Sequence, residues 1–391
     1  MTNLPQGWEV KTLSEIGEII TGSTPSKSNV EFYGKDYPFF KPSDFEQGYF
    51  LENAGDNLSK LGFGKARQLP PKTILVVCIG SLGKVALTRV IGSCNQQINA
   101  IIPHKNIISE YIYYYCISSK FQSILFSKAP QTTLAIFNKT EFSKLEIIYP
   151  KDIKKQERIV GILDESFAKI DESIKILEQN LLNLDELMQS ALQKAFNPLK
   201  DNAKENYKLP QGWEWKSLEE ISENISAGGD KPKNCTESKT AKNQIPVYAN
   251  GVNNNGLVGY TDKATIIKPS LTISARGTIG FVCIRKEPYF PIVRLISLIP
   301  CENILCLHYL YFCLNFFIAK GEGSSIPQLT IPKFKSLQIP LPPLKEQEQI
   351  AEHLDFVFEK AKALKELYTK ELKDYEELKQ SLLNKAFKGE L

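Results

Sequence analysis

LPQGWEVKTLSEIGEIITG, residues 4–22, returns as LPQGWEWKSLEEISENISAG at 209–228. A chain of 391 residues therefore restates its opening about half its length later. The match continues outward from there. IGSLGKVAL (79–87) aligns with RGTIGFVCI (276–284), and INAIIP (98–103) with LISLIP (295–300). KLEIIYPKDIKKQERIVGILDE (144–165) aligns with SLQIPLPPLKEQEQIAEHLDF (336–356), and LMQSALQKAF (187–196) with LKQSLLNKAF (378–387). Both ends of each copy match and the middles diverge. The unit, roughly 190 to 200 residues long, exceeds any solenoid repeat. One frame is used twice around two different interiors.

Each copy divides again. Its first part mixes short apolar runs with Gly, Pro and Asn punctuation. TILVVCIG and SLTISARG read as strands and NGVNNNG as a loop. Its second part is one long amphipathic helix. In the first copy Leu163, Phe167, Ile170, Ile174, Leu177, Leu181, Leu184, Met188, Ala191 and Ala195 step by four and three, a heptad seam. The second seam runs through Leu354, Val357, Ala361, Leu364, Tyr368, Leu372, Tyr375, Leu378 and Leu382, with a local break at 364–372. Pro150 and Pro342-Pro343 mark the starts, and Phe196-Asn197-Pro198 and Phe387-Lys388-Gly389 the ends. About 44 residues of helix make a rod of roughly 66 Å.

The fold class expected is α+β: two globular domains separated by two long antiparallel coiled-coil helices, with an internal pseudo-twofold repeat. The expected boundaries are 1–150 for the first globular domain, 151–197 for the first helix and 198–208 for a polar linker. The second globular domain follows at 209–343 and the second helix at 344–391.

Composition narrows the function. Residues 1–150 hold 15 basic against 12 acidic side chains and 209–343 hold 14 against 10, whereas each helical segment is net acidic. The positive excess sits in the globular parts, where phosphate contact would need it. The opening MTNLPQGWEV has neither a basic nor an apolar signal region, so a cytoplasmic protein is expected. The apolar run 304–319 is short for a bilayer and contains His308 and Asn315, so it reads as a buried helix, as does YIYYYCISSKFQSILF in the first copy. Eight cysteines without a C-x-x-C pair, and three histidines, leave little material for a metal site. They read as reduced, mostly buried thiols. GSLGK (80–84) has the wrong spacing for a phosphate loop, and its counterpart GTIGF lacks the lysine, so both read as tight turns between strands. Nucleophile-elbow and zinc-protease motifs are missing from the sequence.

Five features together resemble the specificity (S) subunits of type I restriction–modification systems. They are LP-x-GW opening each half, the GSTP turn (22–25), the G-[ST]-x-G strand pair, IPLPPLKEQEQIAEHLD (339–355) leading into a long helix, and the closing K-A-F. The first copy of the lead-in lacks the double proline, and the second copy of the turn reads SAGGDKP. The resemblance implies that the globular parts are target recognition domains. Each would read part of an asymmetric, bipartite site on double-stranded DNA, with the helices setting the unspecified gap. It further implies two modification (M) subunits, which use S-adenosylmethionine, and restriction (R) subunits, which use ATP and Mg. The chain itself would carry no cofactor and no catalysis, and would not meet a membrane. A non-catalytic coiled-coil scaffold whose terminal domains bind proteins fits the same pattern.

Base edges are read by Asn, Gln, Arg, Lys, Ser or Asp on exposed loops. In the first domain these are Lys41, Ser43 and Asp44 of FKPSDF, and Asn95, Gln96 and Gln97 of SCNQQIN. In the second they are Tyr248, Asn250, Asn253, Asn254 and Asn255 of VYANGVNNNGLVGY. Arg67, Lys84, Lys268, Arg276 and Arg294 are candidates for phosphate. Thr132-Thr133 and Ser324-Ser325 occupy similar places and either bind phosphate or cap a helix.

Overall fold

The computed structural model describes residues 4–128, 136–196, 209–318, 321–322 and 329–391. The linker 198–208 and the pairs Thr132-Thr133 and Ser324-Ser325 lie outside the described residues. Two compact units emerge: 1–177 with 369–391, and 178–368. This division differs from the sequence-based boundaries, because it cuts both long helices, Ile153–Phe196 and Leu344–Ala386, partway along.

The reason is visible in each core. In the first unit Ile159, Val160 and Leu163 of the first helix join Leu383, Ala386 and Phe387 from the end of the second. The Phe387 ring stands edge-on to Tyr111 at 5.4 Å and to Tyr115 at 5.0 Å. In the second unit Leu192 and Phe196, from the end of the first helix, join Ala351 and Leu354. There Phe196 meets Tyr309 at 5.5 Å. Each globular part thus fills its core with the K-A-F end that belongs to the other repeat.

Within each unit the helical segments run antiparallel. In the first, Arg158 donates to the Leu391 carbonyl at 3.3 Å and Lys379 pairs with Asp171 at 2.7 Å. In the second, Lys365 pairs with Asp185. Leu163, Ile170, Leu177 and Leu184 are buried at seven-residue steps, with Phe167, Ile174 and Leu181 half-buried between them. The next buried positions are Leu192 and Phe196, off the heptad, as expected of a helix with 3.6 residues per turn. In the second helix Leu354 and Ala361 are buried, and Tyr368, Leu372, Tyr375 and Leu382 are half-buried. Leu364 corrects the sequence reading: it is 39% exposed, and Leu378 is exposed too. The four-residue steps around Tyr368 rotate the seam away from both, and Leu383 rather than Leu382 reaches the core.

The repeated opening has a structural partner in each copy. Trp8–Thr12 pairs antiparallel with Glu146–Pro150, Trp8 opposite Pro150. Glu214–Ser217 pairs in the same way with Gln338–Leu341. The two matched ends of each repeat are therefore one ribbon, tying the entry of the globular part to the start of the long helix. Inside the first unit a five-stranded sheet runs in the order Gly17–Thr21, Ile98–Pro103, Ile74–Val77, Val85–Thr88, Phe50–Leu51. A three-stranded sheet centres on Tyr33–Phe40. The second unit has a four-stranded sheet, Ser222–Ala227, Ile296–Pro300, Ser270–Ile273, Val282–Arg285. Its three-stranded sheet is Leu257–Thr261, Ile245–Tyr248, Phe290–Pro291. TILVVCIG and SLTISARG supply strands as expected, and GSLGK is the turn between Ile74–Val77 and Val85–Thr88, with Gly80 and Gly83 at φ +81° and +89°, whereas GTIGF contains the short strand Thr278–Ile279.

The apolar run 304–319 contains the helix Leu307–Phe317, with Tyr309, Leu310, Phe312, Cys313 and Leu314 buried. Its counterpart is two helices, Ser109–Ile117 and Ser119–Lys128, parted at an extended Ser118. All eight cysteines are free, and four are buried. Burial pushes the Cys78 and Cys94 thiols up to about 12. No described helix is long and apolar enough to cross a membrane.

Candidate nucleic-acid interface

Asn253, Asn254 and Asn255 form a tight turn, and all three residues are exposed. They connect the strands Ile245–Tyr248 and Leu257–Thr261, and Ala249 donates to the Gly256 carbonyl at 2.8 Å to close the loop. Asn254 and Asn255 sit at φ +48° and +52°, a left-handed conformation that Asn tolerates better than most residues. A second such pair, Val293 and Arg294 at +53° and +60°, lies in the loop after Phe290–Pro291. Four of the five described non-glycine residues with positive φ are thus in these two loops. Backbone strain of this kind persists only where surrounding contacts impose it, and it gathers at functional sites.

Asn250 supplies those contacts. Its Nδ2 donates to the Val293 carbonyl at 2.6 Å, and its Oδ1 accepts from the Ala275 amide at 2.8 Å. Gly251 N donates to Ser274 Oγ at 3.3 Å. Three loops, around 250–256, 274–277 and 292–294, are bound into one surface. Exposed on it are Asn253, Asn254, Asn255, Arg276 and Arg294. Arg294 forms no ion pair among the described residues, and its amide donates to the Gly228 carbonyl at 2.8 Å. Gly228 is required there: a Cβ on it would lie 2.6 Å from the Ile292 amide nitrogen.

The first unit repeats this junction with other side chains. Gly22 of the GSTP turn packs so closely that a Cβ would fall 2.0 Å from the Asn95 carbonyl oxygen. Ser23 N donates to Cys94 O at 2.9 Å, and Thr24 donates to the Gln96 side chain. Arg67 reaches the same turn, its amide donating to Ser23 Oγ and its Nη1 to Thr21 O. Exposed here are Arg67 and Gln96, and Ser43 is exposed in the turn after Phe40.

Several sequence candidates turn out to be committed elsewhere. Asp44 is buried; one carboxylate oxygen accepts from Lys41 N at 2.7 Å and the other from Gly55 N at 2.9 Å, so it caps a turn. Lys41 itself pairs with Asp56. Asn95 is buried, with its amide closed on Gln97, whose own Nε2 turns to the Ile79 carbonyl. Lys84 pairs with Glu46. Lys268 pairs with Glu223 at 2.6 Å, which raises its pKa. Asn250, half-buried, is used in holding the loops. Tyr248 is half-buried, with the Arg285 guanidinium 3.5 Å from its ring centre. Arg285 escaped the sequence reading because nothing local marks it. Among the described residues no group of three His, Cys, Asp or Glu side chains is placed to hold a metal ion.

Paired sheets capped by polar loops recur in both units, each joined to long helical segments. Residues 5–182 and again 210–373 match the type I restriction modification DNA specificity domain, and the chain belongs to that family. It is 38% identical over 191 residues to the type I restriction enzyme HindI specificity subunit of Haemophilus influenzae, a match spanning 47% of this chain and 42% of that protein. It is 24% identical over 395 residues to the MjaIX specificity subunit of Methanocaldococcus jannaschii, spanning 91% and 88%. The fold is shared along the full length of a chain solved in work on complex assembly and conformational transition of the type I R-M system, at TM-score 0.83 and 19% identity. The HsdS subunit from Thermoanaerobacter tengcongensis follows at TM-score 0.60 and 19% identity, covering 98% of that chain.

Proposed function

We propose that this chain is the DNA sequence-specificity subunit of a type I restriction–modification complex. Each of its two units reads one part of a split target, and the long helices set the gap between the parts. The observation that carries this reading is the second unit's loop surface. There, exposed amides able to meet base edges, and Arg294 able to meet phosphate, sit on backbone held in a left-handed shape. The chain acts without catalysis of its own. Two modification subunits holding S-adenosylmethionine dock on it, and restriction subunits supply the ATP- and Mg-dependent steps.

The test is a methylome. The chain is expressed with its cognate modification subunit in a host lacking adenine methylation, and modified adenines are located by long-read sequencing. A split motif that disappears when the chain is omitted is the expected result. A stable complex with a competent methylase but no chain-dependent motif would instead favour a protein-binding scaffold.

A further inference from the structure

Arg285 ends the strand Val282–Arg285 and is only 8% exposed. A guanidinium so far removed from water is ordinarily matched by a carboxylate, because an uncompensated buried charge is costly. Arg285 forms no ion pair among the described residues. Two of its donors go to neutral oxygens: Nε to Thr272 Oγ1 at 3.0 Å, and Nη2 to the Asn255 carbonyl at 2.5 Å. Its flat face lies against the Tyr248 ring.

These partners belong to different layers. Thr272 is in the central strand Ser270–Ile273 of the four-stranded sheet. Tyr248 ends the strand leading into the asparagine loop, and Asn255 stands at the loop's exit. One side chain therefore grips both stems of the loop and anchors them to the neighbouring sheet. The carbonyl it holds belongs to a residue at φ +52°, so losing the grip frees Asn254 and Asn255 to leave the left-handed region. A fork of fixed geometry suits this task, and an ammonium does not.

Among the described residues the first unit lacks the device. The repeat offset places Thr88 opposite Arg285, and the buried Thr88 hydroxyl serves Pro70 and Thr73 instead. The grip thus belongs to the divergent interior and not to the shared frame, as a device for one particular target should.

We propose that Arg285 is a positioning residue for DNA specificity. It fixes the shape of the 253–255 loop and so sets discrimination at the half-site read by the second unit, without touching DNA. This rests on the specificity-subunit reading. The test compares R285K and R285M with the wild type, each co-expressed with the modification subunit. Methylated motifs are read genome-wide, and binding to a target duplex is measured across a salt series. The half-site belonging to the second unit is the one that changes when residues 209–343 are exchanged for those of a relative.

Both variants are expected to lose roughly tenfold in discrimination at that half-site, with the other half-site and the salt slope unchanged. Wild-type discrimination in R285K, or a salt slope shallower by about one in R285M, means a charge acting on phosphate, and overturns the proposal. Should either variant fail to assemble, T272V removes only the Nε acceptor. It should relax the same half-site by a smaller factor, and an unchanged motif overturns the proposal. A wild-type complex that yields no split motif defeats the specificity-subunit reading itself, which the variants do not address.

Discussion

Gln156 and Gln347 fill the same buried place in the two repeats, each with no exposed surface. Gln156 Oε1 accepts from the Ile108 amide at 2.9 Å, and its Nε2 donates to the Pro150 carbonyl at 2.9 Å. Gln347 Oε1 accepts from the Cys306 amide at 2.9 Å, and its Nε2 donates to the carbonyls of Pro342 and Ile304. Each glutamine staples three things: the lead-in before the long helix, the helix itself and the start of an aromatic helix. The glutamine of each lead-in is therefore structural, and every side-chain bond given for it goes to backbone.

Replacing Gln347 with alanine strands a buried amide and two carbonyls. The expected loss is about 2–4 kcal/mol, since each unsatisfied buried group costs about 1–3 kcal/mol and relaxation recovers part. Calorimetry or chemical denaturation checks it. A variant as stable as the wild type would mean that water takes over these bonds.

Burial separates the two leucines of the helix seams. Leu163→Ala empties a fully buried site and should cost about 2–5 kcal/mol. Leu364→Ala, at a position 39% exposed, should stay within about 0.5 kcal/mol. Equal losses in denaturant melts would return Leu364 to the seam, where the sequence reading places it.

Readers and holders within the asparagine loop should also part company. Arg294→Ala should weaken binding of the assembled complex evenly across sequences and reduce the salt slope by about one. Asn253→Ala should alter discrimination at one half-site while leaving stability within about 0.5 kcal/mol. Asn250→Ala removes the tie between Val293 and Ala275, and should lower both the melting temperature and specificity. Melting curves and methylated-motif sequencing distinguish the three.

The ribbon at the start of the first unit carries a pH signature. The Tyr149 hydroxyl donates to Glu9, which lowers the Glu9 pKa, with Lys151 and Lys11 assisting. A lowered folded-state pKa contributes stability above the ordinary carboxylate value, about 4.3, that is lost as pH falls through the lowered value. Tyr149→Phe should therefore cost stability at pH 7 and flatten the acid limb of the stability curve. Identical pH profiles for variant and wild type would show that the hydroxyl does not govern Glu9.

Much of this molecule is written in its spacing. The duplication, the long helices and the strand TILVVCIG were legible because periodicity is local: residues three, four or two apart report which face is buried. The fate of individual polar side chains was not legible, because it depends on partners far along the chain. Asn250 looks like an exposed turn residue until Val293, 43 positions later, takes its amide. Asp44 looks like a base reader until Gly55 claims its carboxylate. Arg285 has no local signature at all, since Tyr248 and Asn255 become its neighbours only when two sheets pack.

By itself the sequence determined that one α+β frame is used twice, with long amphipathic helices and two unlike interiors. Tertiary structure alone decided that each core is completed by the helix end of the other repeat, Phe387 against Tyr111 and Phe196 against Tyr309. It alone decided, too, which candidates remain exposed to read a target. The physical reason is the same in both cases. An apolar face announces only that it must be buried, and a polar group only that it must be paired. Which partner answers is settled when distant segments meet.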